Sequence, residues 1–182
     1  EVVNGKLYIV AGGRWSTQEN KPGHVMIYED GKWTNITNKQ IEQQTKKKAL
    51  DFMDVAEDPK DPSRFFVTSY GTGLYEFRNN TLYTHYTPDN SILCSAVKSN
   101  PNHYTRTSNA VFDRENRLWI TVDAEVDTTL VCFLPDGTQR GLNFYTNSTD
   151  RFVFHTSGNM VIDAINPQRK WLVSCRAISA VV

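Results

Sequence analysis

The sequence has 182 residues, of which 39% are hydrophobic and 12% aromatic, and its 20 basic and 20 acidic residues give a formal charge of zero. This composition predicts a folded globular chain, and the absence of a basic excess argues against a nucleic-acid binder. No apolar run reaches the roughly 20 residues of a bilayer-spanning helix. The sequence opens at Glu1 without a methionine or a signal peptide, so we expect a fragment or a processed product with no membrane span.

A short strand pattern recurs four times, with an aromatic residue at the same place in each copy. The copies lie at 5–10, 63–68, 116–121 and 169–174. Their aromatic residues are Tyr8, Phe66, Trp119 and Trp171, which are 58, 53 and 52 residues apart. A near-constant period of this size is typical of one four-stranded propeller blade. The sequence therefore predicts an all-β chain built as a β-propeller.

The residues before this strand keep phase with it. In three copies an apolar stretch ends in an aspartate, at Asp58, Asp113 and Asp163, and turn-forming Pro or Asn residues follow. An apolar run, a turn and a second apolar run predict a β-hairpin.

A tight turn and a more polar outer strand follow the pattern in three copies. The turns are predicted at Asp30-Gly31, Asn79-Asn80 and Asp136-Gly137, and the outer strands at 33–37, 82–87 and 142–146. Asn, Asp and Gly tolerate the positive φ of two-residue hairpin loops. Each unit is therefore predicted to hold four short antiparallel strands.

The repeats divide the chain into about three and a half blades. We predict blade-like units at about 1–38, 50–90, 105–147 and 158–182, the last incomplete, and a connection at 39–49 with a short helical turn. Pro59 and Pro62 argue against a helix over 51–61. Because closed propellers have about 4–8 blades, an apolar blade face should stay uncovered. We therefore expect a longer native polypeptide or self-association through that open face.

The sequence shows no recognisable catalytic or metal-binding centre. The two glycines of the segment Gly71-Thr72-Gly73 are not followed by the helix and the third glycine of a dinucleotide fingerprint. This favours a tight strand-to-strand turn. The four histidines are scattered, and the inner strands lack the clustered carboxylates that a propeller hydrolase would need. The cysteines Cys94, Cys132 and Cys175 fit neither a zinc site nor a dense disulfide framework. We interpret Cys132 and Cys175 as buried thiols, with one disulfide as the open alternative. We expect no cofactor, no metal and no catalytic residue.

Aromatic side chains in predicted loops are the candidates for ligand contact. We select Trp15, Tyr70 and Tyr104, because such rings stack on sugars or on a protein partner. For three further rings, packing between blades is the favoured alternative: Trp33, Tyr83 and Tyr86.

The stretch 58–93 carries a more specific resemblance. Its Asp-Pro-Lys-Asp-Pro segment at 58–62, the run Phe-Val-Thr-Ser-Tyr-Gly-Thr-Gly-Leu-Tyr-Glu-Phe at 66–77 and Asn-Ser-Ile-Leu at 90–93 resemble the PorZ-like propeller proteins of the type IX secretion system. Asp113 and the segment 116–121 resemble the Asp-x-x-Gly-x-Leu-Trp-Ile core of the two-component-regulator propeller repeats. Arg117 stands where that core commonly has a glycine or another small residue.

The resemblance implies an exported scaffold rather than an enzyme. PorZ-like proteins are large, act at the outer-membrane surface, join a sortase-containing attachment complex and present anionic lipopolysaccharide to it. The chain would then be part of a propeller in the periplasm or at the outer-membrane surface, with secretion-system proteins or cell-surface glycan and lipopolysaccharide as partners. The same repeats would also serve the alternative, an extracytoplasmic glycan-sensing propeller of a hybrid two-component regulator.

Overall fold

Fifteen strands and two short helices make up the described part of the chain. A computed structural model describes residues 1–12, 19–123, 128–142, 157–174 and 178–181. In chain order the elements are β1 (Val2–Val3), β2 (Lys6–Ala11), β3 (His24–Glu29), β4 (Lys32–Ile36), α1 (Asn38–Thr45), β5 (Phe52–Asp58), β6 (Asp61–Gly71), β7 (Gly73–Arg78), β8 (Thr81–Tyr86), α2 (Pro101–Tyr104), β9 (Thr105–Phe112), β10 (Leu118–Val122), β11 (Leu130–Phe133), β12 (Gln139–Leu142), β13 (Ser157–Ile162), β14 (Lys170–Ser174) and β15 (Ile178–Val181).

The strands pair antiparallel, and within each sheet most pairs join strands that are consecutive in the chain. The first sheet has the order β1-β2-β3-β4 and the last has the order β13-β14-β15. Between them, β5–β8 and β9–β12 join into one eight-stranded sheet, because Tyr70 and Gly71 of β6 pair with Arg106 and Thr105 of β9. We number these four strand groups units 1 to 4 in chain order. The predicted all-β, propeller-type architecture is confirmed.

Apolar side chains fill three cores, one between each pair of successive units. The first core contains Tyr8, Val25, Ile27, Ile36, Ile41, Ala49, Phe52, Val55, Phe65, Val67, Tyr75, Phe77 and Leu82. The second contains Ala56, Phe66, Leu74, Leu93, Ala110, Leu118, Ile120, Val122, Val131 and Phe133. The third contains Trp119, Leu130, Cys132, Met160 and Leu172. Since successive strand residues point to opposite faces, the recurring aromatic residue of units 1 to 3 packs towards the next unit. In units 2 and 3 its two neighbours in the strand pack towards the preceding unit.

Polar side chains connect the first strands of units 2, 3 and 4, which are β5, β9 and β13. Asp54 of β5 accepts a hydrogen bond from the backbone N–H of Ala110 at 3.1 Å and another from the Asn109 amide. Asn109 of β9 in turn accepts from the backbone N–H of Met160 in β13 at 2.9 Å. Both acceptors lie four residues before the hairpin aspartate of their unit. Burial raises the pKa of Asp54 despite these bonds.

The hairpin aspartates close the turn between the first two strands of their units. Asp113 accepts from the backbone N–H groups of Glu115 at 3.1 Å and Arg117 at 2.9 Å, from Nε of Arg117 at 2.6 Å and from Nε1 of Trp119 at 2.8 Å. Burial opposes ionisation of Asp113, but the Trp119 and Arg117 donors outweigh it and lower its pKa. The arginine at the position where glycine is common therefore neutralises a buried carboxylate.

Two of the three predicted two-residue turns have the expected backbone. Asp30 and Gly31 have φ values of 47° and 77°, and Asn79 and Asn80 have 48° and 59°. These values match the primed turns that suit the twist of a hairpin. Pro59 and Pro62 also keep 51–61 out of a helix, and the region forms strands β5 and β6.

The third turn and its outer strand differ from the prediction. In the pair Asp136-Gly137 only Gly137 has a positive φ, 87°, and Leu134 and Thr138 are joined by a backbone bond of 2.8 Å. This is a three-residue loop with glycine in the left-handed position. The strand that follows, β12, lies at Gln139–Leu142 and begins three residues before the predicted start at 142, because Gln139 already pairs with Phe133 of β11. Residues 143–146 lie outside the described part.

The connection between units 1 and 2 contains helix α1. The backbone N–H of Thr37 donates to Oε1 of Gln40 at 2.8 Å, which is one half of a capping box. Lys46 ends the helix in the left-handed conformation with a φ of 58°. Ile41 is buried in the first core, so the helix covers the rim between the two units.

Candidate functional site

The structure brings two of the three sequence candidates together around an arginine. The guanidinium carbon of Arg106 lies 5.0 Å from the ring centroid of Tyr70 and 5.3 Å from that of Tyr104. Both distances fall within the range of cation–π attraction. Trp15, the third candidate, lies outside the described residues. We call Tyr70, Tyr104 and Arg106 the tyrosine–arginine cluster.

The strand pairing between units 2 and 3 positions this cluster. Strand β6 is eleven residues long, and its end pairs with the start of β9, so that Tyr70 lies opposite Arg106. The short helix α2 ends at Tyr104, directly before β9. The Tyr104 carbonyl accepts from the N–H of Ala96 at 2.9 Å, and the Arg106 carbonyl accepts from the N–H of Asp123 at 2.8 Å. The backbone on both sides of the arginine is therefore held in place.

The three side chains differ in their access to solvent. Tyr70 is 2% exposed, whereas Tyr104 and Arg106 are half-buried. Tyr70 is therefore not accessible from solvent, and its ring supports Arg106 from the protein side. Arg106 and Tyr104 together offer a planar cation for carboxylate or phosphate groups and an aromatic surface for a sugar ring.

A buried hydroxyl network fixes the turn beside the cluster. Oγ of Ser69 and Oγ1 of Thr72 are 2.6 Å apart, and the Tyr75 hydroxyl donates to Oγ1 of Thr72 at 2.8 Å. Gly73 has a φ of 95°, and a Cβ there would lie 2.3 Å from the Tyr86 carbonyl oxygen. The segment 71–73 is thus the tight strand-to-strand turn that the sequence favoured over a phosphate loop.

Sequence reasoning did not single out Arg106. The local signal is weak: Arg106 follows Tyr104 by two residues, but Tyr104 ends α2 and Arg106 lies in β9, so the spacing does not by itself place the two side chains together. The contact with Tyr70 depends on the long-range pairing of β6 with β9, which no local pattern reveals.

The other predicted rings divide into packed and exposed ones. Tyr86 meets Phe133 of unit 3 edge to face at 5.1 Å, so its predicted packing between units is confirmed. Tyr83 is 59% exposed beneath the Arg78 guanidinium, and Trp33 is 51% exposed. For Tyr83 the packing interpretation is wrong within the described structure, because no described unit covers this ring. For Trp33 it stays a prediction, because the ring lies on the side of unit 1 that faces away from unit 2.

Titratable and metal-ligating side chains do not converge in the described ranges. Among the described residues, no group of three or more His, Cys, Asp or Glu side chains is placed to hold a metal ion. Cys132 is a free, buried thiol, as predicted, and burial raises its pKa to about 11; Cys175 lies outside the described part. Neither described helix has the length and hydropathy that a membrane span requires.

The fold is similar to that of PorZ, an essential bacterial surface component of the type IX secretion system of Porphyromonas gingivalis. The two chains are 26% identical and superpose with a TM-score of 0.80, and the match covers 94% of this chain. The chain spans 22% of the PorZ chain. No protein-family model and no curated protein matches the sequence, so the assignment to two-component-regulator repeats stays a prediction.

Two more distant structures share the fold. A gluconolactonase from Xanthomonas campestris is 14% identical with a TM-score of 0.51, and the match covers 90% of this chain and 46% of the enzyme. A Bacteroides thetaiotaomicron protein of unknown function is 11% identical with a TM-score of 0.52, and the match covers 93% of this chain and 40% of that protein. At these identities the likeness concerns the fold alone.

Proposed function

We propose that this chain, whose fold is PorZ-like, is a non-enzymatic binding module of an exported type IX secretion component at the bacterial surface. The observation that carries the proposal is the match to PorZ over 94% of the chain at 26% identity. The likeness to the gluconolactonase does not compete with it, because that enzyme is only 14% identical. Secretion-system proteins are the partners that this role would require.

The tyrosine–arginine cluster is the proposed contact for an anionic surface glycan such as lipopolysaccharide. A guanidinium between two aromatic rings keeps its charge and its orientation, which suits phosphate or carboxylate groups on a sugar. The half-buried Tyr104 ring supplies the stacking surface that sugars favour. Both chemical features of an anionic glycan thus have a matching group within one cluster.

Binding of the full 182-residue chain to immobilised purified anionic lipopolysaccharide tests this role. We expect Arg106→Gln to weaken binding by about tenfold or more, since a hydrogen bond to a charged group contributes about 1.5–3 kcal/mol. Tyr104→Ala should also weaken it. Tyr83→Ala is the matched control, because Tyr83 also lies under an arginine, Arg78, but belongs to the outer strand β8 and not to the tyrosine–arginine cluster. This variant should bind as the unsubstituted chain does.

Two outcomes would count against the proposal. An unsubstituted chain that does not bind lipopolysaccharide would exclude glycan presentation by this cluster. Selective binding of a neutral oligosaccharide, unaffected by Arg106→Gln, would favour the glycan-sensing alternative instead.

A further inference from the structure

The turn between the first two strands of unit 1 is Asn4-Gly5, the only Asn-Gly pair in the sequence. Val3 and Lys6 pair on either side of it, so the two residues form a two-residue hairpin loop. Their φ values of 49° and 80° suit a type I′ turn. A Cβ built on Gly5 would meet nothing within 4 Å beyond its chain neighbours, so the turn has open space around it.

The tip of this turn is exposed in the same way as the matching turns of units 2 and 3. Asn4 and Gly5 are exposed in unit 1. Lys60 in the unit 2 turn and Glu115 in the unit 3 turn are exposed as well, although those units have a neighbour on both sides. The exposure therefore comes from the position of the turn at the rim, and water reaches Asn4 there.

The side chain of Asn4 also joins unit 1 to unit 2. Its Nδ2 donates to Oε1 of Glu57 in β5 at 2.7 Å. The Glu57 carboxylate is fully buried, accepts a second hydrogen bond from the Tyr8 hydroxyl and lies 3.2 Å from Nζ of Lys6. Asn4 thus supplies one of the donors around a buried carboxylate from an exposed turn tip.

An Asn-Gly pair can modify itself without an enzyme, and asparagine is one of the thermally labile residues. The backbone nitrogen of Gly5 attacks Cγ of Asn4, a five-membered succinimide ring closes, and the Cγ–Nδ2 bond breaks. Nδ2 leaves as ammonia with the proton that the Gly5 nitrogen gives up. Water then opens the ring at either carbonyl and leaves an aspartate or an isoaspartate. Glycine favours the first step because it has no Cβ to hinder the attack.

We propose that Asn4-Gly5 is a site of spontaneous modification, which replaces an amide donor to Glu57 by a second carboxylate and so weakens the contact between units 1 and 2. The product side chain has no N–H for Oε1 of Glu57, and an acceptor that loses its donor inside a protein is costly. It also brings a second negative charge beside the first, with Lys6 as the neighbouring cation. Because ammonia is lost, the change is permanent. It is independent of the proposed ligand, since the tyrosine–arginine cluster lies between units 2 and 3.

Mass spectrometry of the full chain, incubated in mildly alkaline buffer and then digested, tests the reaction. Asn79 is the matched comparator, because it has the same place in the unit 2 turn with a φ of 48°, but Asn80 follows it instead of a glycine. We expect the mass gain of amide-to-acid conversion to appear severalfold faster at Asn4 than at Asn79, in two products that separate by chromatography. Conversion at Asn4 that is no faster than at Asn79 would overturn the proposal.

The Asn4→Asp variant reproduces one product and tests its effect on the contact. We expect it to lower the urea midpoint of unfolding, whereas Asn79→Asp should leave the midpoint unchanged. In a Glu57→Gln background the new charge has no carboxylate beside it, so Asn4→Asp should lower the midpoint severalfold less. Circular dichroism shows whether each variant is folded. An unchanged midpoint for Asn4→Asp, or an equal shift in both backgrounds, would show that the modification does not act through Glu57.

Discussion

One hairpin motif occurs in unit 3 and in unit 4 under different cover. The two copies are Asp113, Arg117 and Trp119, and Asp163, Arg169 and Trp171. The arginine lies 5.7 Å from the tryptophan centroid in both. The tryptophan nitrogen reaches the aspartate at 2.8 Å in unit 3 and 3.1 Å in unit 4. The closest aspartate–arginine distance is 2.6 Å in unit 3 and 3.9 Å in unit 4.

The difference shows which part of the motif is local and which depends on the neighbouring unit. In both copies the tryptophan contacts the aspartate and the arginine, although the aspartate precedes the tryptophan by six residues in unit 3 and by eight in unit 4. The hairpin itself therefore brings the three side chains together. The tighter ion pair occurs where unit 4 excludes water from Trp119, and the looser one where Trp171 is 39% exposed. Ion pairs strengthen as water is excluded from them. Cover by unit 4 therefore strengthens the ion pair that the unit 3 hairpin forms.

Replacing each tryptophan in turn is the most direct test of whether cover by the next unit distinguishes the two hairpins. We expect Trp119→Ala to lower the free energy of unfolding by about 3–5 kcal/mol, as for a buried aromatic residue in a core. Trp171→Ala should cost about 1 kcal/mol, because much of its ring is exposed already. Urea unfolding of the purified chain measures both. Equal losses would show that burial by the next unit is not what distinguishes the two rings.

Removing the aspartates should have the next largest effect. Asp113→Ala leaves the Trp119 and Arg117 donors without their acceptor, and we expect a loss of about 2–4 kcal/mol. Asp163→Ala should cost clearly less, because its donors can turn to water. The same urea series gives both values, with Asn35→Ala at an exposed strand position as a neutral control. A larger loss for Asp163 would contradict the role assigned to cover.

The aromatic period and the hairpin aspartates were readable from the sequence because they are local patterns. Tyr8, Phe66 and Trp119 each lie in the second strand of their unit and pack towards the next unit, as a blade repeat requires. The predicted start of the third outer strand is wrong because the sequence does not show that pairing with β11 begins at Gln139. Nor does it distinguish a two-residue turn from a three-residue loop that contains Asp136-Gly137. Gly137 has a positive φ in either case, and the φ of Asp136, which is not positive, decides between them.

The candidate site was predictable only in part. Tyr70 and Tyr104 were selected as aromatic residues near loops, but nothing local shows that both meet Arg106. The pairing of β6 with β9 spans more than thirty residues of chain. Contacts of that range follow from sheet assembly rather than from pattern. The exposure of Tyr83 is unpredicted for the same reason, because it depends on how units 2 and 3 pack together.

The inner-strand bonds offer a smaller test of how unit 4 is held on unit 3. Asn109→Ala removes the acceptor for the Met160 N–H and a donor to Asp54, and we expect a loss of about 1–2 kcal/mol. Hydrogen exchange at the Met160 amide should speed up, while exchange within unit 1 should not change. Unchanged protection of Met160 would mean that apolar packing alone joins the two units.

Acid titration should give the smallest effect, because protonation leaves the Asp113 side chain in place. The pKa of Asp113 is lowered in the folded chain, since the Trp119 and Arg117 donors outweigh burial. The unfolded chain therefore takes up this proton first as the pH falls. The stability that Asp113 contributes is present above the unfolded pKa of about 4 and is lost as the pH falls through the lower folded value. Asp113→Asn should flatten the decline of unfolding free energy below about pH 4, while Asn35→Ala should leave the slope unchanged. An Asp113→Asn slope equal to that of the unsubstituted chain would show that the hairpin ion pair does not favour the ionised carboxylate, and that its tightness in unit 3 reflects packing alone.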